Sequence, residues 1–224
     1  MNSFGCIVLD IDDTLYLERD YIRSGFRVVG RYVQEQYGPG GFFDIAWESF
    51  QCGARGTIFN EALGALRMDA TPELIAELVT VYRKHTPQIE MLSDAAEFIG
   101  RLHGQVALAA ISDGPLQSQR AKTEALGLAK WMDLVILTAE LGEGLGKPHP
   151  RAFEMIQQHT GRTGSECVYV ADNPTKDFIA PASLGWKTVR IRRLGGLHHE
   201  IESTPDIQHE MSDMTLLFEF LSLR

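Results

Sequence analysis

The sequence predicts an α/β fold, a Rossmann-like, doubly wound parallel sheet core carrying an inserted all-helical domain. Three observations predict it. Apolar runs at Cys6–Leu9, Val106–Ile111, Leu134–Leu137 and Cys167–Ala171 lack polar alternation, as strands buried on both faces do. Helical stretches separate these runs, and strands alternating with helices build parallel sheets through right-handed crossovers. Finally, Asp10 and Ser112 stand 102 positions apart. A βαβ unit needs only ~30 residues, so about 70 are surplus to one crossover.

The first run ends in Asp10-Ile11-Asp12-Asp13-Thr14. Ligands of open α/β sheets bind at the C-terminal strand ends. Carboxylates this close raise one another's pKa unless a cation holds them. The pattern therefore suggests a divalent metal, a nucleophilic carboxylate, or both; an Asx turn with Asp13 or Thr14 capping a helix is the plainer alternative. Ile22, Phe26, Val29 and Val33 then fall at helical spacing until Gly38-Pro39-Gly40-Gly41 stops them. Helices follow at about Phe43–Cys52 and Phe59–Leu66, and Thr71-Pro72 opens another as N-cap and first residue. No strand reads in this stretch. The expected division is a core of residues 1–15 and 89–224 and a helical insert over 16–88, placed after the ligand-bearing strand end and so expected to act as a lid.

Beyond the insert, a helix at Ser93–His103 leads into the run ending Ser112-Asp113-Gly114. A helix over about Leu116–Leu126, the strand Leu134–Leu137 and a glycine-punctuated loop bring the chain to Lys147-Pro148-His149-Pro150. After another helix, Cys167–Ala171 terminates in Asp172-Asn173-Pro174-Thr175-Lys176-Asp177. Thr188–Ile191 is the last expected strand and Asp213–Leu223 the last helix. Trp47, Trp131 and Trp186 are expected in core or hinge packing. His198-His199 reads as an exposed loop rather than a metal pair, and Arg190, Arg192 and Arg193 as ordinary surface cations.

Composition narrows the partners. A formal charge of −9 argues against a nucleic-acid surface. Three cysteines, Cys6, Cys52 and Cys167, lack CxxC spacing, and reduced thiols in a cytoplasm are expected. Neither a basic, apolar leader nor an apolar run of membrane-spanning length is present, so no membrane association is expected. A monomer or homodimer is equally compatible with the sequence.

Asp10, Asp12, Ser112, Lys147, Asp172 and Asp177 each follow a buried strand or open a helix. In a doubly wound sheet such positions face one crevice. Singly, each has a bland reading: Ser112 as an N-cap, Lys147 as a solvated loop residue, Asp172 as an Asx turn. Together they supply a nucleophile, an acid, a hydroxyl, a cation and metal-binding carboxylates, as phosphoryl transfer requires. Asp10 and Asp172 offer the one or two carboxylates that Mg²⁺ prefers.

Asp10-Ile-Asp12-Asp13-Thr14, Ser112-Asp113-Gly114, Lys147-Pro148 and Asp172-x4-Asp177 resemble, in order, the four motifs of the haloacid dehalogenase superfamily, and the helical surplus resembles its inserted cap. The resemblance implies Asp10 as nucleophile and Asp12 as general acid/base, with Mg²⁺ on Asp10, the Asp12 carbonyl and Asp172. Ser112, the Asp113 N–H and Lys147 would hold phosphoryl oxygens. Asn173 and Asp177 would support the metal site, and Thr14 would pin the loop. Asp113 stands where the family often has Asn, adding charge beside a phosphate unless its side chain turns away. Asn173 likewise departs from the commoner Gly-Asp-Ser. The implied activity is Mg²⁺-dependent hydrolysis of a small phosphomonoester (a sugar phosphate, nucleotide or phospho-acid). A phosphomutase, or a non-catalytic phospho-accepting or binding protein, is the alternative. Arg19, Arg23, Arg55, Lys84 and His85 are the cationic candidates for leaving-group recognition.

Overall fold

The computed structural model describes residues 4–221. Asp20–Gln88 forms one compact unit and the described residues on either side of it form the other.

The larger unit is built on a six-stranded, all-parallel sheet: β1 (Cys6–Leu9), β2 (Ala107–Ser112), β3 (Leu134–Leu137), β4 (Cys167–Ala171), β5 (Lys187–Ile191) and β6 (His209–Met211), in the order β3-β2-β1-β4-β5-β6. The order reverses beside β1, which creates the crevice where doubly wound sheets bind ligands. All four β1 residues are fully buried, the reason this strand reads as an unbroken apolar run. Cys6 and Val8 join Tyr169, Ala171, Phe153, Phe178 and Trp186 in one core cluster. Leu9 pairs with Ala110 on one side and Val170 on the other, so the segments following β1, β2 and β4 leave the sheet at nearly one level. The helices of this unit are α5 (Ser93–Leu102), α6 (Leu116–Ala125), α7 (Arg151–Thr160), α8 (Ile179–Ser183) and α9 (Met214–Phe220).

Four helices make up the insert: α1 (Glu18–Tyr37), α2 (Phe42–Gln51), α3 (Ile58–Ala65) and α4 (Pro72–Lys84). Within Asp20–Gln88 the packing is aromatic. Phe26 meets Phe50, Phe59 and Tyr82, and Phe42 meets Phe59, with ring centroids 5.5–6.3 Å apart. Thr71 caps α4, its hydroxyl accepting from the Leu74 N–H at 3.2 Å, as the Thr-Pro start predicts.

Several expectations are corrected. β6 follows the strand taken as last; three residues long, it gains its strand character by pairing with β5 rather than from an apolar run of its own. Trp131 is surface-exposed, whereas Trp186 is fully buried. The last helix begins one residue after its cap Asp213 and ends at Phe220, and the Leu223 end expected for it lies outside the described residues. Among the described residues no helix is long and apolar enough to cross a membrane.

Candidate active site

The segments leaving β1 and β4 bring Asp10, Asp172 and Asp177 together, with Lys147 beside them. Asp10 leaves β1 with its N–H bonded to the Val170 carbonyl at 2.8 Å, so its backbone is locked to β4. Its carboxylate accepts a 2.5 Å bond from Lys147 Nζ. That ammonium also lies 2.9 Å from Asp177 Oδ1 and 3.1 Å from the Tyr169 hydroxyl. Asp10, Lys147 and Asp177 are all buried. One oxygen each from Asp10, Asp172 and Asp177 lie within 4.8 Å of one another.

Three buried carboxylates facing one ammonium leave this cluster short of positive charge. Burial, opposed by Lys147 and reinforced by Asp177, Asp172 and Asp12, pushes Asp10 well above its ordinary pKa. Burial and Asp177 raise Asp172 as well, with a His198 hydrogen bond opposing them. Burial acts to lower Lys147, but Asp10 and Asp177 outweigh it and hold the ammonium well above its ordinary value. An all-oxygen donor set that lacks positive charge fits a hard divalent cation, and Asp10, Asp172 and Asp177 are the residues that would hold it.

Asp12 is turned to a different partner. Its two carboxylate oxygens accept from Lys122 Nζ at 2.7 and 2.8 Å, and the Tyr16 hydroxyl donates to it as well. Lys122 also lies 3.8 Å from Glu18. Glu18 is driven up to about 8, by burial first and then by Asp12, with Lys122 opposing. Asp13 sits at a positive φ of 51°, and its carboxylate accepts from the backbone N–H groups of Glu18 (2.8 Å) and Leu197 (2.6 Å). Burial and Asp172 raise it to about 6 against those two bonds.

Ser112 ends β2 with its hydroxyl buried and unpartnered among the described residues. Next to it, the Asp113 side chain turns away onto Thr138 Oγ1 (2.7 Å), the Lys147 N–H (3.2 Å) and Lys176 Nζ (2.9 Å). Asn173 donates its N–H to Asp177 Oδ2 at 3.1 Å. Thr14, expected to pin the loop after β1, is fully buried. Its hydroxyl has no hydrogen-bond partner among the described residues, and Arg193 Nε donates to the Thr14 carbonyl at 2.8 Å.

Other residues escaped the sequence reading. Arg190, taken for a surface cation, is wholly buried and donates to the carbonyls of Asp172, Ile201 and His198. His198 is no idle loop residue either: Nδ1 lies 2.8 Å from Asp172 Oδ2 and Nε2 lies 3.1 Å from Asn173 Nδ2. Arg192 reaches the His199 carbonyl at 2.6 Å. Lys122 had one visible signal. α6 buries Ser118, Gln119 and Lys122, so a helix with few apolar residues had to present a polar face inward. In the helical unit, His85 is buried against Tyr21 and Tyr82, whereas Arg23 and Arg55 lie over the rings of Trp47 and Phe50.

Known proteins resemble this chain in sequence and in fold. The chain is 31% identical over 156 residues to a phosphoserine phosphatase of Thermus thermophilus, covering 69% of this chain and 60% of that protein. It is 26% identical over 132 residues to an (S)-2-haloacid dehalogenase of Xanthobacter autotrophicus, covering 59% and 49% respectively. The chain therefore spans only about half to three-fifths of the length of these relatives. In fold it is similar to a haloacid-dehalogenase-superfamily hydrolase of subfamily IA from Geobacter sulfurreducens, with a TM-score of 0.70 at 16% identity over 98% of this chain and 97% of that one. Residues 4–185 match the haloacid dehalogenase-like hydrolases; the chain belongs to that family.

Proposed function

We propose that this protein is a Mg²⁺-dependent phosphatase that hydrolyses a small phosphomonoester through an aspartyl-phosphate on Asp10. The single observation that carries the reading is the Asp10 carboxylate, buried at the sheet's switch point against Lys147 and within one cation's reach of Asp172 and Asp177. Mg²⁺, when bound, supplies charge neutralisation for the phosphoryl oxygens and for the carboxylates around it.

The chain's own groups do the rest. An Asp10 oxygen attacks phosphorus as the ester P–O bond breaks, and Asp12 gives its proton to the departing alkoxide. Water then attacks the acyl phosphate, Asp12 takes the water's proton, and phosphate leaves with Asp10 regenerated. The unpartnered Ser112 hydroxyl, the Asp113 N–H and Lys147 are the donors assigned to the phosphoryl oxygens. Asn173 supports the carboxylates by donating its N–H to Asp177. Asp12 also separates this reading from dehalogenation, because a halide departs without needing a proton. The division into a catalytic core of residues 1–15 and 89–224 and a helical cap over 16–88 that governs substrate choice belongs to the same proposal, as does action in the cytoplasm.

The test is a panel of phosphomonoesters assayed with Mg²⁺, with phosphoserine included because one relative carries that name. Asp10→Asn should lose turnover by on the order of 10⁴-fold or more while retaining its circular dichroism spectrum. Chelation should stop wild-type turnover and Mg²⁺ restore it. Asp12→Asn should slow alkyl phosphates more than aryl phosphates, whose leaving groups need less protonation. Near-wild-type turnover by Asp10→Asn, or activity that survives chelation, would overturn the proposal.

A further inference from the structure

The segment after β5 returns to the site. Arg193 Nε donates to the Thr14 carbonyl at 2.8 Å, and its other arm reaches Asp94 at 2.9 Å. The Leu197 N–H donates to Asp13 at 2.6 Å. Arg190 ties both ends of the return together, with Nε on the Asp172 carbonyl (3.0 Å) and Nη2 on the His198 carbonyl (2.7 Å). The backbone of His198 is thereby fixed beside Asp172 by a fully buried guanidinium.

The hydrogen-bond network also fixes the imidazole. Asn173 Oδ1 accepts from the Thr175 N–H at 3.0 Å and the Thr175 hydroxyl at 2.7 Å. The oxygen end of that amide is thus defined, and its nitrogen end must be the one 3.1 Å from His198 Nε2. An amide N–H can only donate, so Nε2 accepts. Nδ1 then carries the proton and donates it to Asp172 Oδ2 at 2.8 Å. Thr175, Asn173, His198 and Asp172 form a directed chain that ends on a carboxylate assigned to the cation.

We infer that His198 is a positioning residue for the divalent-cation site: its Nδ1–H holds one oxygen of Asp172 so that the other is presented to the cation beside Asp10. The inference rests on the proposed metal-dependent reading of the site and adds to it a specific determinant of cation affinity. Outer hydrogen-bond partners of metal ligands contribute in this way, their loss costing roughly 10–100-fold in affinity.

Calorimetric titration of Mg²⁺ into the substrate-free full chain tests this apart from turnover. His198→Ala should bind Mg²⁺ at least about tenfold more weakly than wild type. His198→Asn, whose amide can place an N–H where Nδ1 stood, should recover most of that loss. With a phosphomonoester, the Mg²⁺ concentration for half-maximal rate should rise by the same factor in His198→Ala, and kcat at saturating Mg²⁺ should return to within a few-fold of wild type. Equal Mg²⁺ affinity in wild type and His198→Ala would overturn the inference and leave the proposed function standing. A weakened affinity that His198→Asn fails to recover, with kcat lost at any Mg²⁺ concentration, would reduce His198 to a structural role and overturn it too. Wild type that binds no Mg²⁺ would remove the metal-site reading itself, and this inference with it.

Discussion

The two units of this chain stabilise themselves by different means. The core buries charge at its strand ends: Asp10, Lys147, Asp172, Asp177, Lys122 and Arg190 are all withdrawn from solvent. The helical unit buries rings instead, with Phe26, Phe42 and Phe50 inside, Arg23 laid over Trp47 and Arg55 over the Phe50 ring. Ring packing asks only for volume and shape. Buried charges are costly unless each is paired, so a unit that keeps several has been shaped by something other than stability. The contrast supports the proposal that the chemistry is done in the core.

The sharpest way to break this comparison is to remove the cation at the centre of the core. Lys147→Met leaves Asp10 and Asp177 without their ammonium. Removing one partner of a buried pair costs about 3–5 kcal/mol. Urea denaturation with chelator present should show a loss of that size, and turnover should fall with it. A loss below about 1 kcal/mol would mean the carboxylates simply take up protons and that the ammonium is not what holds the cluster.

Phe26→Ala makes the matching cut in the helical unit, where the ring meets Phe50, Phe59 and Tyr82. Deleting a buried Phe costs about 3–5 kcal/mol through lost transfer energy and the cavity left behind. The destabilisation should rival that of Lys147→Met, yet the folded protein's Mg²⁺ affinity should stay within about twofold, as expected of independent sites. A large change in Mg²⁺ affinity would show that the two units are not energetically separable.

Those residues also mark how far the sequence could be read. Asp10, Ser112 and Asp172 were visible because each stands at or just beyond the end of an unbroken apolar run, and Lys147 because a glycine-rich loop delivers it. The helical unit was visible as surplus length with helical spacing. What stayed hidden depends on partners far away in the chain. Lys122 meets Asp12 across 110 positions and Leu197 meets Asp13 across 184. No local period encodes such pairings. Arg190 was hidden because its carbonyl partners Ile201 and His198 are supplied by the loop that returns after β5. β6 was hidden because three residues with one apolar member make no pattern at all.

A smaller effect sets the acids beside Asp12 against an acid of the helical unit. In the core, Glu18 is raised to about 8 and Asp13 to about 6, so between the ordinary carboxylate range and those values the folded state holds protons the unfolded state has lost. The contribution of these two groups to stability in chelator should therefore be fully present below about pH 4 and decline as pH rises, the Glu18 part being gone above about 8. Glu18→Gln should flatten the upper part of that decline in urea melts. Glu77 of the helical unit runs the other way. The Tyr32 and Tyr37 hydroxyls donate to it at 2.7 and 2.8 Å and lower its pKa, so its contribution is lost as pH falls. A flat profile between pH 5 and 8 for the metal-free protein would contradict the assignment of Glu18 as a buried acid.

The smallest expected effect lies at Asp113, where the family often has Asn. Its Oδ1 accepts from the Thr138 hydroxyl and the Lys147 N–H, and an amide oxygen can do the same. Only the pair with Lys176 is lost in Asp113→Asn, and Lys176 is partly exposed. Such pairs contribute about 0–1 kcal/mol. The substitution should thus shift stability by no more than about 1 kcal/mol, and KM for a phosphomonoester should fall a few-fold as one negative charge leaves the neighbourhood of the phosphate. A tenfold rise in KM would mean that the Asp113 side chain, rather than its backbone N–H, takes part in holding the substrate. The charge at this position would then be a functional feature of the core, beside its buried charges, and not a tolerated substitution.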